Sequence, residues 1–333
     1  LTQHSEKDSM DVPLWVWGST IAGIAALLVF DFVAHVRKPH APSLTEAGAW
    51  SVFYVVLALI FGGGLWLVWG PQHGVEYLAG YVTEKSLSVD NLFVFVIIMG
   101  AFRVPIEYQQ KVLLIGVVIA LILRTIFIAA GAAAIEHFSW VFYIFGFFLL
   151  YTAYSLATSS HDEEEEFEPN IMVRLAQKYL PATDEYNGSR LTVVKNGKRM
   201  ITPMLIVMIA IGATDILFAL DSIPAIYGLT KEPYIVFTTN AFALLGLIQL
   251  YFLLGGLLDR LVYLSKGLAL VLGFIGVKLI VEALHGNELP FLNGGQPVNA
   301  VPEISTWFSL SIIIGILAIT TVASLWKSAS SRR

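Results

Sequence analysis

Four acidic residues in two matched pairs carry the first chemical signal. The stretch "TEKSLSVDN" (Thr83 to Asn91) sets Glu84 and Asp90 six residues apart, and "TDILFALDS" (Thr214 to Ser222) sets Asp215 and Asp221 at the same spacing. Both stretches lie inside long apolar runs, where an ionised side chain at the centre of a lone helix costs about 2.5–3.5 kcal/mol on insertion scales. Such acids must face one another, a cation or water. Beside them stand further oxygen donors: the amides of Asn91 and Asn240 and the hydroxyls of Thr83, Ser88, Thr214 and Ser222. The chain has no Cys, and no intramembrane His accompanies the acids. The donor set therefore suits a hard cation such as Mg2+, Ca2+ or Mn2+ better than zinc or copper.

On a straight helix a six-residue step leaves the two acids of a pair about 120° and about 9 Å apart, so one regular helix cannot aim both at one ion. Two arrangements satisfy this. Either each helix presents two polar faces to different partners, or each unwinds between its acids and folds both inward. Ser86, Ser88 and Pro224, which has no backbone donor, favour unwinding, and the freed carbonyls would add neutral ligands. Three basic residues inside the spans, Lys85, Arg124 and Lys278, are the candidates for charge balance. Lys85 points about 100° away from Glu84 and is expected to serve another helix or to snorkel. Arg124 is expected to balance a carboxylate, and Lys278 and Glu282 are spaced to satisfy each other. Asp31, near a span end, is expected at the interface. A buried ion-pair network that only holds the bundle together is the plain alternative to an ion path.

The elements that must position these residues are membrane helices. The 333 residues are 56% hydrophobic and 14% charged, too apolar for a water-soluble domain of this size, and the apolar runs lack the alternation of outer-membrane strands. The expected fold is all-α, a single polytopic bundle of about nine spans: Leu14–Ala34, Ala49–Trp69, Val75–Gly100, Lys111–Ile135, Trp140–Thr158, Pro203–Leu229, Tyr234–Leu258, Gly267–Leu284 and Thr306–Trp326. The first run lacks the flanks of a signal peptide. Of the 20 Lys and Arg, only Lys7 and Lys231 fall in loops on one side; Lys85, Arg124 and Lys278 lie within spans, and all the rest fall on the other side. The positive-inside rule then places the N-terminus outside and the C-terminus in the cytosol. The loop Ser159–Thr202 opens with "HDEEEEFEP" and reads as a solvated linker, with a cation-concentrating funnel as the sharper alternative. A net charge of −5 gives no reason to expect a nucleic-acid partner.

Glu84 and Asp215 are 131 positions apart, and so are Asp90 and Asp221. Two spans further on, "IFGFFLL" (Ile144 to Leu150) aligns with "FIGVKLI" (Phe274 to Ile280), with Gly146 and Gly276 130 apart. Residues 75–158 and 203–284 therefore read as two copies of a three-helix unit, with 14–69 and 306–326 outside the repeat. Three crossings per unit oblige the second copy to enter the membrane from the opposite side. Transporters of this plan bind substrate near the midplane, where the repeats meet.

The motifs "EKSLSVDNLFVF", "LRTIFI", "DILFALDSIPAI", "TNAFALLGL" and "FIGVKLIVEALH" closely resemble the TerC family of membrane proteins over roughly residues 14–326. The resemblance implies an association with tellurium resistance and alkaline-pH induction, export of manganese across the bacterial plasma membrane, and in some members a supply of metal to secreted enzymes. It matches Glu84, Asp90, Asp215 and Asp221 to acidic transport residues, and Asn91, Ser222 and Asn240 to their polar neighbours. Where many relatives carry "GLR" in the seventh span, this chain has Gly246, Leu247 and Ile248, followed by Gln249, so a buried positive charge is missing. The expected function is export of a hard divalent cation, Mn2+ foremost, as transported substrate. Proton exchange is the coupling that buried carboxylates would permit. No permanent cofactor and no enzymatic activity are expected; the partners are the metal ion and the bilayer, with protein partners and oligomeric state left open. A membrane scaffold for metal loading of other enzymes is the alternative reading. An intramembrane aspartyl protease is disfavoured because no "GLGD"-type stretch occurs.

Overall fold

A computed structural model of the chain describes residues 10–36, 42–138, 140–158, 173–174, 181–183, 186–188, 190–195, 198–254, 261–298 and 301–330. Its framework is a series of long apolar helices. α1 (Leu14–Asp31) runs into a π-helical turn at Phe32–Val36. α2 (Leu44–Trp69) starts at Ser43, whose hydroxyl accepts the Glu46 N–H, and ends at Gly70. At φ +98° that glycine reverses the chain within one residue, and Pro71 begins α3 (Pro71–Ala101) with φ already fixed for a helix. α4 (Ile106–His137) and α5 (Val141–Thr158) follow. After the long connection come α6 (Pro203–Tyr227), α7 (Pro233–Leu244), α8 (Leu247–Leu254), α9 (Leu264–His285) and α10 (Thr306–Ser330). Among the described residues eight helical segments are long and apolar enough to cross a membrane, α7 and α8 together forming one of them. α3 is within one residue of the longest helix, α4, but carries Glu76, Glu84, Lys85 and Asp90. The all-helical membrane bundle is as expected.

The seventh span lies at the centre, with 89% of its apolar window buried, whereas α1 and α10 bury 17% and face outward with side chains such as Leu14, Trp15, Ile319 and Trp326. α5 and α9 make the closest helix pair. An added Cβ on Gly146 would sit 3.0 Å from the Gly276 carbonyl, and one on Gly276 would sit 3.0 Å from the Gly146 carbonyl. The two glycines that correspond in the sequence repeat thus touch each other.

Three expectations need correction. The third and sixth spans do not unwind: α3 and α6 are uninterrupted helices, Pro224 included. Their polar residues are absorbed locally, Ser86 Oγ donating to Val82 O and Thr214 Oγ1 to Ala210 O, so they free no backbone. The break falls instead in the seventh span, where Leu245 is extended and Gly246 takes φ +76° against the ring of Tyr54. Asp31 is buried rather than interfacial, at 2% exposure, and accepts from Tyr54 Oη at 2.6 Å and Gln249 Nε2 at 3.5 Å. The connection after α5 also holds an antiparallel hairpin, β1 (Thr192–Lys195) with β2 (Lys198–Ile201), tied to the α3–α4 turn by Tyr186 Oη donating to Phe102 O. Its acidic run, 159–172, lies outside the described residues.

Gly146→Ala should push backbone against backbone and cost about 1–3 kcal/mol, read as a fall in Tm of the purified protein. Gly18→Ala, with nothing within 4 Å of the added carbon, should stay within about 0.5 kcal/mol of wild type.

Candidate functional site

Arg124, on α4, is the hub. Its guanidinium is fully buried and reaches three other helices. Nε and Nη2 donate to the two carboxylate oxygens of Asp215 on α6, each at 3.2 Å, in a bidentate grip. Nη1 donates to Glu84 Oε1 on α3, to Ser222 Oγ on α6 at 3.1 Å and to Asn240 Oδ1 on α7 at 2.9 Å. The Asn240 amide is oriented by its own Nδ2, which donates to Val236 O at 3.0 Å. Glu84, Asp215, Ser222 and Asn240 are therefore brought together from three helices, around a cation belonging to a fourth.

The cluster holds more acceptor than the guanidinium satisfies. Nη1 has two hydrogens for three oxygens. Among the described residues Glu84 Oε2 is buried without a hydrogen bond of normal geometry, and the hydroxyls of Thr83 and Ser88 are likewise buried without a partner. Glu84 and Ser88 are one turn apart and share a face of α3. Two carboxylates against one guanidinium leave a formal charge of −1.

The remaining candidates lie elsewhere. Asp221 is half-buried and accepts from Thr152 Oγ1 of α5 at 3.0 Å, because on an unbroken helix it sits about 9 Å and about 120° from Asp215. The side chain of Asp90 lies outside the described residues. Asn91 is partly buried and takes no part in the Arg124 network, and Thr214 is spent on its own helix. Among the described residues no group of three or more His, Cys, Asp or Glu converges as a metal cage; two of the four expected acids, Glu84 and Asp215, meet there with an amide and a hydroxyl.

Of the expected charge-balancing residues, only Arg124 takes that part. Lys85 Nζ donates to Ala243 O at 3.0 Å and Leu245 O at 3.4 Å, at the break between α7 and α8. Lys278 makes no hydrogen bond to Glu282 among the described residues, since that carboxylate bonds Lys231, but Glu282 and Glu76 lie near enough to act on its charge. Lys278 lines an open cavity of about 1440 Å3 between the start of α3 and the ends of α6 and α9. There Glu76 accepts from Gln72 Nε2 and Thr230 Oγ1, each at 2.8 Å. At the rim, burial pushes the Glu232 carboxyl up from its ordinary range, against the pull of a backbone hydrogen bond. The Glu76–Thr230 bond joins the beginning of α3 to the residue region just past α6, so the two acid-bearing helices run antiparallel. Asp221 therefore lies beyond the central pair toward this cavity, and position 90 lies beyond it in the opposite direction.

Thr152, Glu76 and Thr230 are not among the residues picked from sequence. Glu76 leaves a signal there, as a further acid inside the third span, whereas Thr152 is one of several hydroxyls in the fifth.

Removing the shared cation should expose the imbalance. Arg124→Gln leaves two carboxylates buried without a counter-charge and should cost about 3–5 kcal/mol. The triple variant Glu84→Gln, Arg124→Gln, Asp215→Asn should regain most of that loss. Thermal unfolding of the three proteins checks both expectations.

The family model described as "Integral membrane protein TerC family" matches residues 69–332. The uncharacterized membrane protein Rv2723 of Mycobacterium tuberculosis is 54% identical over 316 residues, covering 94% of this chain and 79% of that protein. The uncharacterized membrane protein STKORF319 of Myxococcus xanthus is 42% identical, covering 94% of this chain and 92% of its own length. A protein of Escherichia coli (strain K12), provisionally named membrane-bound redox modulator Alx, is 37% identical and covers 96% of both chains. No solved structure matches. With its helical bundle, its match from residue 69 nearly to the end, and these relatives, the chain belongs to the TerC family of integral membrane proteins.

Proposed function

We propose that this protein exports a hard divalent cation, Mn2+ foremost, across the bacterial plasma membrane, with Glu84 and Asp215 as its central ligands. The observation that carries this reading is the pair of buried carboxylates converging on one guanidinium, with a formal charge of −1 and unused oxygens beside it. One guanidinium neutralises one carboxylate; both acids bond it here, and the charge left over is one that a further cation would meet. The oxygen set of Glu84, Asp215, Ser222, Asn240 and the neighbouring Ser88 is hard and suits Mn2+, Mg2+ or Ca2+.

The guanidinium and a divalent cation compete for the same oxygens. Arrival of the ion weakens the hold of Arg124 on α3, α6 and α7 together, and this links occupancy of the site to the packing of four helices. The antiparallel helices place Asp90 and Asp221 on opposite sides of the central pair, so each serves as a staging carboxylate for one face of the membrane. The loop basic residues orient the Asp221 side and the cavity at Glu76 toward the outside. The contact of Gly146 with Gly276, and of Glu84 and Asp215 with one arginine, supports an inverted repeat as the frame for alternating access.

Flux of Mn2+ in proteoliposomes tests the reading. Glu84→Gln and Asp215→Asn should each lower flux by more than about tenfold, the scale of losing a contact at a metal site, and Asp221→Asn should lower it less. Lys231→Gln, at the exposed outer pair, should leave it unchanged. Absence of flux from the wild-type protein, together with a partner enzyme constantly co-purifying, would favour the scaffold reading instead.

A further inference from the structure

The break in the seventh span offers a second ion-binding position. α7 ends at Leu244, Leu245 is extended at φ −61° and ψ 132°, and Gly246 reverses to φ +76° before α8 begins. The last carbonyls of a helix have no partner within it and carry the negative end of its dipole. Inside a membrane that end must be satisfied by something. In transporters with broken helices, half-helix C-termini and unwound carbonyls hold the monovalent coupling ion. Here the ammonium of Lys85 occupies that position, donating to Ala243 O at 3.0 Å and Leu245 O at 3.4 Å, both on fully enclosed residues.

The tether is short and well placed. Glu84 and Lys85 project from one turn of α3, the first into the Arg124 cluster that includes Asn240, the second onto Ala243, which is one turn further along α7. Lys85 thus places its charge at backbone carbonyls instead of at the carboxylates, and the Glu84–Asp215–Arg124 cluster keeps its formal charge of −1.

We propose that the carbonyls of Ala243 and Leu245 form a monovalent-cation site that this chain fills with its own lysine, so that it needs no free alkali ion until Lys85 is shortened. The inference deepens the transport reading, because it names why Na+ or K+ need not accompany the exported ion. Its test, however, involves no divalent cation and no flux, so the two can fail separately.

The full chain is purified as wild type and as Lys85→Ala, and thermal unfolding is followed in Na+, K+ or choline at one ionic strength. Wild type should unfold at the same temperature in all three. Lys85→Ala should be destabilised in choline and recover in Na+ or K+ with a Tm rise that grows with ion concentration, on the order of 5 °C near saturation. Ethylammonium, the head group of the severed side chain, serves as the control ligand. Rescue by ethylammonium without rescue by Na+ or K+ overturns the proposal, since the position then accepts an ammonium only. So does unfolding of Lys85→Ala alike in every salt, or an equal response of wild type and variant to the alkali ions.

Discussion

Two carboxylates buried against one guanidinium are the constraint around which this bundle is arranged. Desolvating an ion inside a low-dielectric core costs several kcal/mol even after relaxation, and attraction offsets that only where geometry is good and the remaining lone pairs are met. Asp215 meets the condition with a two-pronged grip. Glu84 meets it with one oxygen and leaves the other without a hydrogen bond of normal geometry among the described residues. The asymmetry leaves Glu84 less fully bonded than Asp215.

Holding such a cluster requires helices that cannot drift. The seventh span is enclosed on all sides and brings Asn240 to Arg124 and Ala243 to Lys85. α5 and α9 meet at glycines, without side chains between their backbones. Close backbone approach through small residues is how membrane helices associate where lipid offers no hydrophobic drive. The outer helices α1 and α10, by contrast, expose their apolar faces, as the bilayer demands.

Much of this was legible in the residues. The spacing of 131 between Glu84 and Asp215 anticipates that both reach one place, and hydropathy marks the spans because a bilayer requires every backbone group to be satisfied within its own helix. The position of the helix break was not legible. Pro224 looks like the natural breaker, yet a missing donor is tolerated in membrane helices, whereas the seventh span breaks at Leu245, which Lys85 bonds, and at Gly246, which meets Tyr54, partners that lie far away in sequence. The same limit explains Asp221: its partner Thr152 is 69 residues away, and no periodicity reports such a pair. Arg124 is visible as a charge within a span, but not as the base that serves both acids.

The arithmetic of charge bears on which ions a site of this kind prefers. Glu84 and Asp215 carry two formal negative charges, which a guanidinium or an alkali ion halves and a divalent ion cancels. At about 4 Å and an effective dielectric of about 20, each unit of charge is worth about 4 kcal/mol of interaction, so valence alone separates divalent from monovalent ions strongly. Separation among Mg2+, Ca2+ and Mn2+ has to come from ligand number, ring size and the ease of shedding water. A centre with two carboxylates, one amide and flanking hydroxyls is loose in those respects. In the proposed transport reading an internal cation at rest would matter as much as the ligands: Arg124, bonded to both acids, would exclude weaker competitors and yield only to an ion of higher charge.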